Sequence, residues 1–406
     1  MERRLRSRLE TVTISAWLCC AAFAGAGCEG TVYLPLEDTV GAEESDRGGP
    51  LGGAPSGPAA GVGQDASPSI PQLPEPGPPS NPANPDPVDP GANGPGNGGN
   101  PGNPGPTPVE KVLAYLRGLS GKQTVSGQHN REPSSEPARW SEAIRNTTGR
   151  SPGLWSGDFL FEQESIDARG TLVEEAKRRF SAGSLVQFLY HACPPTQGEA
   201  CGWEGGVKSH LSDEQWKELL TAGSRLNSVW KSRLDRIAVH LQALEDASVA
   251  VLFRPIHEMN QGAFWWGGRP GPEGTGRLYQ ITHDYLTKDL GLTNLIWIWD
   301  VQDLSWDFAA YNPGEGYFDI AALDMYGDGY TQEKYKAMLE VAGDKLIAIG
   351  ECEKLPTPDE LAAQPRWVFF MAWAELVYEG NTEQQIKTLY ASDRVVNLDE
   401  MPGWSF

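Results

Sequence analysis

Eight short apolar runs punctuate the chain between Val109 and Phe406, and amphipathic stretches separate them. The runs are Gln123–Ser126, Gly153–Gly157, Leu185–Tyr190, Val249–Pro255, Asn294–Trp299, Phe318–Leu323, Lys345–Ile349 and Trp367–Ala372. They are rich in β-branched and aromatic residues and lack a polar alternate face, the pattern of strands covered on both sides. Between them TLVEEAKRRFSAG, the long LSDEQWKELLTAGSRLNSVWKSRLDRIAVHLQALED and TQEKYKAMLEVAG carry helical spacing, with start signals at Ser212 (SDEQ) and Thr331 (TQEK). Eight β-then-α units in about 300 residues predict a (β/α)8 TIM barrel over residues 109–406. A doubly wound open sheet is the rival architecture, and the chain has no G-x-G-x-x-G after its first run to support it.

The pattern is different before Val109. MERRLRSR is basic, the stretch from Thr11 to Gly27 is largely apolar, and AGAGC closes it at Cys28. This reads as a signal peptide over residues 1–28, too short and interrupted for a spanning helix. Small residues ahead of a cysteine resemble the bacterial lipoprotein signal, which predicts lipidation of Cys28 and an outer-membrane or other cell-surface location. Ordinary cleavage after Ala24-Gly25-Ala26, releasing a secreted protein, is the alternative. Residues 29–108 are Pro/Gly-rich and acidic, with Arg47 as the sole basic residue, and predict a disordered linker that holds the folded part away from the surface.

Charge narrows the partners. The 406 residues carry 33 Lys and Arg against 54 Asp and Glu, a formal net charge of −21. Such a chain repels nucleic acid and anionic membrane, so membrane contact is expected only through an N-terminal lipid, whereas a neutral polymer meets no such barrier. Cys193 and Cys201 flank PPTQGEA and predict a short disulfide-closed loop in an oxidising compartment. No cysteine spacing suggests a zinc site. The H-E of HEMN lacks the second His of H-E-x-x-H, since Gln261 stands four after His257. No metal or cofactor is expected, and a monomer is.

In a barrel, chemistry gathers at the C-terminal ends of the strands. Those ends here carry Gln128 and His129; Trp155 and Asp158; Tyr190 and His191; Arg254, His257, Glu258 and Asn260; Trp297, Trp299 and Asp300; Asp324 and Tyr326; Glu351; and Trp373. Aromatic faces with interspersed carboxylates suit sugar rings, whose C–H faces pack on aromatics while their hydroxyls need acceptors. The pair that matters is Glu258 after the fourth strand and Glu351 after the seventh. Glycosidic cleavage uses two carboxyl groups, about 5–5.5 Å apart when configuration is retained. Arg254 is a natural partner to keep one ionised. Glu353 is the nearby rival to Glu351, and Arg254 could instead pair with a purely structural Glu258.

LFRPIHEMNQGAFWWGGR resembles the acid/base motif of glycoside hydrolase family 26, best known for β-mannanases. SGQHN, GLWSGDF, the His191 segment, LDMYG, IGE and Trp373 fall in the order of that family. The resemblance implies double-displacement chemistry on β-mannan, endo-acting on β-1,4 bonds, with Glu258 as acid/base and Glu351 as nucleophile. It implies that His257 orients the carboxyls, that Tyr326 sits by the nucleophile, and that His191 and Trp373 line the subsite of the sugar under attack. Trp155, Trp265, Trp266 and Trp299 are expected as further sugar contacts, with core packing as the open alternative. Arg254, Asn260, Asp158 and Asp324 are expected to support the site. Ala263 stands five positions after the acid/base, where many family members carry an aromatic platform. Mixed-linkage β-glucan and β-1,3-xylan remain alternative substrates, and a non-catalytic carbohydrate-binding barrel remains an alternative class.

Overall fold

The computed structural model describes residues 105–327 and 329–404. The predicted signal peptide, Cys28 and nearly all of the predicted linker lie outside them. The folded unit starts on a helix, Pro108–Leu119, closed by a capping box between Thr107 and Glu110.

Eight parallel strands form the barrel: β1 (Gly127–His129), β2 (Leu154–Phe159), β3 (Leu185–Tyr190), β4 (Val251–Pro255), β5 (Leu295–Gln302), β6 (Ile320–Met325), β7 (Leu346–Cys352) and β8 (Trp367–Ala372). Each pairs with the next, and Gln128 opposite Ala372 joins β8 to β1, so the sheet is closed. The expected (β/α)8 barrel is borne out. Burial on both faces explains the continuous apolar runs, because side chains alternate between the barrel interior and the helical layer.

Three expectations about element bounds need correction. The first run is split at Ser126, which bonds Val396 and Asn397 near the C-terminus. Thr124–Val125 pairs with Val395–Val396, and the barrel strand itself starts at Gly127. Four other strands extend past the apolar run: β2, β5, β6 and β7 include Asp158, Asp300, Asp324 and Glu351. Arg254 pairs with Asp300, Asp324 and Glu351, and His191 with Asp158, inside the barrel mouth, so polarity there does not end the strand. The long helical stretch is also two helices, Asp213–Leu220 and Arg225–Asp246, parted where Gly223 takes φ +77° and Ser224 caps the second.

Candidate active site

Arg254 stands at the centre. It is fully buried near the end of β4, and its Nη1 lies 2.9 Å from Asp300 Oδ2 on β5 and 2.8 Å from Asp324 Oδ2 on β6. Its Nη2 donates to Glu351 Oε1 on β7. Burial works against the guanidinium charge, but Asp324, Asp300 and Glu351 together hold it protonated well above its ordinary value. The Tyr326 hydroxyl donates to the other Glu351 oxygen at 2.6 Å. Burial, then the charge of Glu351, keeps that phenol protonated far above its usual range.

Glu351 reaches this position through a bulge. Leu323 pairs with Ile349 and Asp324 with Glu351, which leaves Gly350 as an inserted residue in β7. The insertion turns Glu351 onto the same inner face as Asp324, a use of bulges common beside active sites. Only glycine fits there: a Cβ on Gly350 would lie 2.4 Å from Asp300 Oδ2 and from Asp324 Oδ1.

Glu258 sits in the loop after β4 with φ +49°, and Ile256 two residues earlier has φ +53°. Both values are costly for residues with a Cβ, especially a β-branched one. The loop is held there by surrounding bonds. Asp300 Oδ1 accepts the Glu258 backbone N–H at 2.8 Å, the Asp300 carbonyl accepts that of Met259 at 3.3 Å, and Trp266 Nε1 donates to the His257 carbonyl at 2.8 Å. Gln261 Nε2 donates to Glu258 Oε2. Asn260 bolts this loop to the end of β5: its Nδ2 donates to the carbonyls of Gln302 (2.7 Å) and Ser305 (3.0 Å), and its Oδ1 accepts from Gln302 N (2.7 Å).

One oxygen each from Glu258, Asp324 and Glu351 lie within 4.8 Å of one another. Such a trio could ligate a cation, but the Arg254 guanidinium already supplies the positive charge at this point. Four carboxyls around one guanidinium cannot all ionise without mutual repulsion. Burial, then the charge of Glu351, then that of Asp300 push Glu258 well above the ordinary carboxyl range. Burial leaves Glu351 raised too, but Arg254 and the Tyr326 hydroxyl oppose it, and burial raises Asp324 well above its ordinary value. Glu258, which receives no bond from Arg254, favours the protonated form, and Glu351, held by Arg254 and Tyr326, is the better placed to carry charge.

A histidine cluster flanks the pair. His191 Nδ1 lies 2.6 Å from Asp158 Oδ2; a carboxylate only accepts, so Nδ1 carries the proton. His191 meets His257 edge to face at 4.5 Å. Half-buried Trp373 stacks on His129 at 4.1 Å and presents its edge toward His191 at 6.1 Å. Burial, then neighbouring positive groups, keep His257 and His129 neutral, well below the usual imidazole range.

The structure thus brings together Glu258, Glu351, Arg254, Asp324, Tyr326, Asn260, His257, His191, Asp158 and Trp373. It corrects others. Trp155 and Trp299 face the helical layer, opposite to their neighbours Ser156 and Asp300. Trp155 lies over Gly157 and against Phe188, and Trp299 packs on Phe318. Trp265 is wedged against Trp230 and donates to the Ala192 carbonyl at 2.7 Å. Trp266 is 1% exposed and backs His257 from beneath. All four pack the scaffold, and none offers a ring face to a ligand. His257 makes no hydrogen bond to Glu351, its Nε2 lying 4.0 Å from Oε1, whereas Arg254 and Tyr326 bond that carboxyl directly.

The expected Cys193–Cys201 disulfide is formed. Other groups were passed over in the sequence: Arg233 donates to three carbonyls of the closed loop. Two residues on, Trp203 stands half-buried beside His191 (5.9 Å) and Phe264 (5.7 Å). Its position just past the predicted disulfide was the available signal. Asp303 accepts from Tyr326 N (3.1 Å), Gly327 N (3.0 Å) and Lys334 Nζ (2.7 Å), so it sets the loop that carries Tyr326. Nothing local in the sequence marks it.

Comparison with known proteins agrees with this geometry. The profile of Glycosyl hydrolase family 26 matches residues 103–400. A mannan endo-1,4-beta-mannosidase of Thermothelomyces thermophilus is 33% identical over 304 residues, 71% of this chain and 60% of that protein. The mannan endo-1,4-beta-mannosidase A and B of Caldalkalibacillus mannanilyticus is 29% identical over 322 residues, again 71% of this chain and 60% of the relative. This chain therefore spans about 60% of the length of these two curated relatives. Among solved structures, GH26A from Muricauda sp. superposes with a TM-score of 0.69 at 32% identity, over 72% of this chain and 97% of that one. The Podospora anserina GH26-CBM35 β-(1,4)-mannanase does so with a TM-score of 0.62 at 31% identity, over 75% and 70%. With a profile match across most of its length and a closed barrel carrying the expected carboxyl pair, the chain belongs to glycosyl hydrolase family 26.

Proposed function

We propose that this protein is a retaining endo-acting glycoside hydrolase that cleaves β-1,4-mannosidic bonds in mannans. The observation that carries the chemistry is that one oxygen each of Glu258 and Glu351 lie within 4.8 Å of one another, with Glu351 bonded by Arg254 and Tyr326. That spacing leaves room for a sugar's anomeric carbon but not for an intervening water, which inverting enzymes accommodate with about 6.5–9.5 Å. Glu351, ionised between Arg254 and Tyr326, attacks the anomeric carbon while Glu258 gives its proton to the leaving oxygen. The bond to the leaving sugar breaks as the Glu351 ester forms. Glu258, now a carboxylate, takes a proton from water, whose oxygen attacks the same carbon and frees Glu351. Two inversions leave the configuration unchanged. The excess of carboxyls over guanidinium in the barrel mouth also favours the positive charge that develops on the sugar ring. Mannan as substrate is supported by the names of the relatives.

Incubation with mannan, mixed-linkage β-glucan and β-1,3-xylan, read as new reducing ends, tests the substrate. NMR of the first product formed tests the stereochemistry, with the β anomer expected. The variant Glu351→Ala is expected to lose mannan hydrolysis; activity at the parent rate would remove Glu351 as nucleophile. Mannan binding without new reducing ends would favour a binding protein instead.

We further propose that Cys28 becomes the lipidated mature N-terminus and anchors the enzyme at the cell surface. Mass spectrometry of the detergent-extracted protein tests this, and a soluble product starting at another residue would refute it.

A further inference from the structure

The loop after β5 carries two large apolar side chains into solvent beside the catalytic acid: Leu304 is 55% exposed and Trp306 is 52% exposed. Half of an indole left in water forgoes the burial that the other apolar groups of this loop obtain, such as Phe308, which is 2% exposed and stacks behind Trp306 at 6.1 Å. The loop is nevertheless held from several sides. Asn260 grips the carbonyls of Gln302 and Ser305, the residue before Trp306. Gln302 Oε1 accepts the Leu304 N–H at 3.0 Å, and Asp303 is locked to Tyr326, Gly327 and Lys334. A held loop presenting an exposed aromatic is a preorganised platform, because the ordering cost is met before a ligand arrives.

Its place determines what would use it. Asn260 is two residues past Glu258, so the same side chain that fixes the acid/base loop fixes the backbone next to Trp306. Trp306 therefore follows directly on a residue pinned to the acid/base loop, on the β5 side of Glu258. Within the histidine cluster, His129 ends β1 and His191 follows β3, both stand with Trp373 after β8, and only His257 shares the acid/base loop. Ala263, in the acid/base loop itself, offers only a methyl group.

We infer that Trp306 is the stacking platform for a sugar on the leaving-group side of the cleft, with Leu304 extending its apolar face. This rests on the glycosidase reading and deepens it, assigning to Trp306 part of the preference for polymer over short substrates. Trp306→Ala should raise KM for mannan and for long manno-oligosaccharides about tenfold, the loss of one modest apolar contact, with kcat changed less than threefold. It should shift the cleavage position in oligosaccharides. Trp306→Tyr should restore most of the affinity. Hydrolysis of a manno-oligosaccharyl fluoride, whose leaving group is one atom, should be unaffected by either change. Because Trp306 is half exposed, melting temperatures should match the parent and exclude misfolding. If the parent cleaves mannan but Trp306→Ala keeps its KM within twofold and its product pattern, the platform is refuted while the activity stands. If KM rises equally for the fluoride, the side chain acts on the site's structure and the platform is refuted as well. A parent that cleaves no polysaccharide overturns the enzymatic reading and this inference with it.

Discussion

Asp300 offers a way to separate two effects of one carboxylate. Its Oδ1 accepts the backbone N–H of Glu258 at 2.8 Å, and its Oδ2 ion-pairs with Arg254 at 2.9 Å. Asp300→Ala removes both. The bond to Glu258 N–H has a charged acceptor in a buried site and is worth about 1.5–3 kcal/mol. It helps hold Glu258 at φ +49°, a conformation that costs about 1–3 kcal/mol by itself. With tenfold in rate for each 1.36 kcal/mol, kcat should fall about 10- to 150-fold. Asp300→Asn keeps an acceptor in place but removes the charge. Neutral bonds are about half as strong, so the expected loss is about 3- to 13-fold. The pH profile gives an independent reading. Glu258 must be protonated to donate, so kcat/KM declines as pH rises through its pKa. That pKa is raised by burial, by Glu351 and by Asp300. Without the Asp300 charge it drops, and the alkaline limb should move to lower pH in both variants. Initial rates on mannan against pH, with thermal melts to choose a temperature at which all forms are folded, decide the matter. A kcat for Asp300→Ala within twofold of the parent, or an alkaline limb moving to higher pH, would refute the reasoning.

Tyr326→Phe deletes the 2.6 Å bond to Glu351, and kcat should fall about 10- to 150-fold while the acid limb moves to higher pH, since that hydroxyl favours the ionised carboxylate. Gly350→Ala drives a methyl between Asp300 and Asp324, both tied to Arg254; chemical denaturation should show a loss of about 1–3 kcal/mol, and mannan hydrolysis should fall as Glu351 is displaced. Replacing both Cys193 and Cys201 by Ser opens a loop of sequence separation 8, and the melt should report a loss of about 2.5 kcal/mol that reductant reproduces in the parent.

The amino-acid pattern by itself determined the architecture. Strands covered on both faces must be apolar throughout, and their alternation with capped amphipathic helices leaves few ways to bury them, so the eight-unit barrel was legible. The HEMN and IGE segments were also legible, because polar groups at strand ends stand out against an apolar run. What sequence could not supply was the direction in which each side chain points. Trp155 and Trp299 sit one position from inward polar residues and face the helices, because alternation depends on register, and register is a property of the closed sheet. Glu351 would share the outer face but for the Gly350 bulge, visible only once β6 and β7 are paired. The partition of protons was likewise undecidable from order alone. It comes from four carboxyls on four different elements converging on Arg254 in a space without water's dielectric, where each charge is felt by the next.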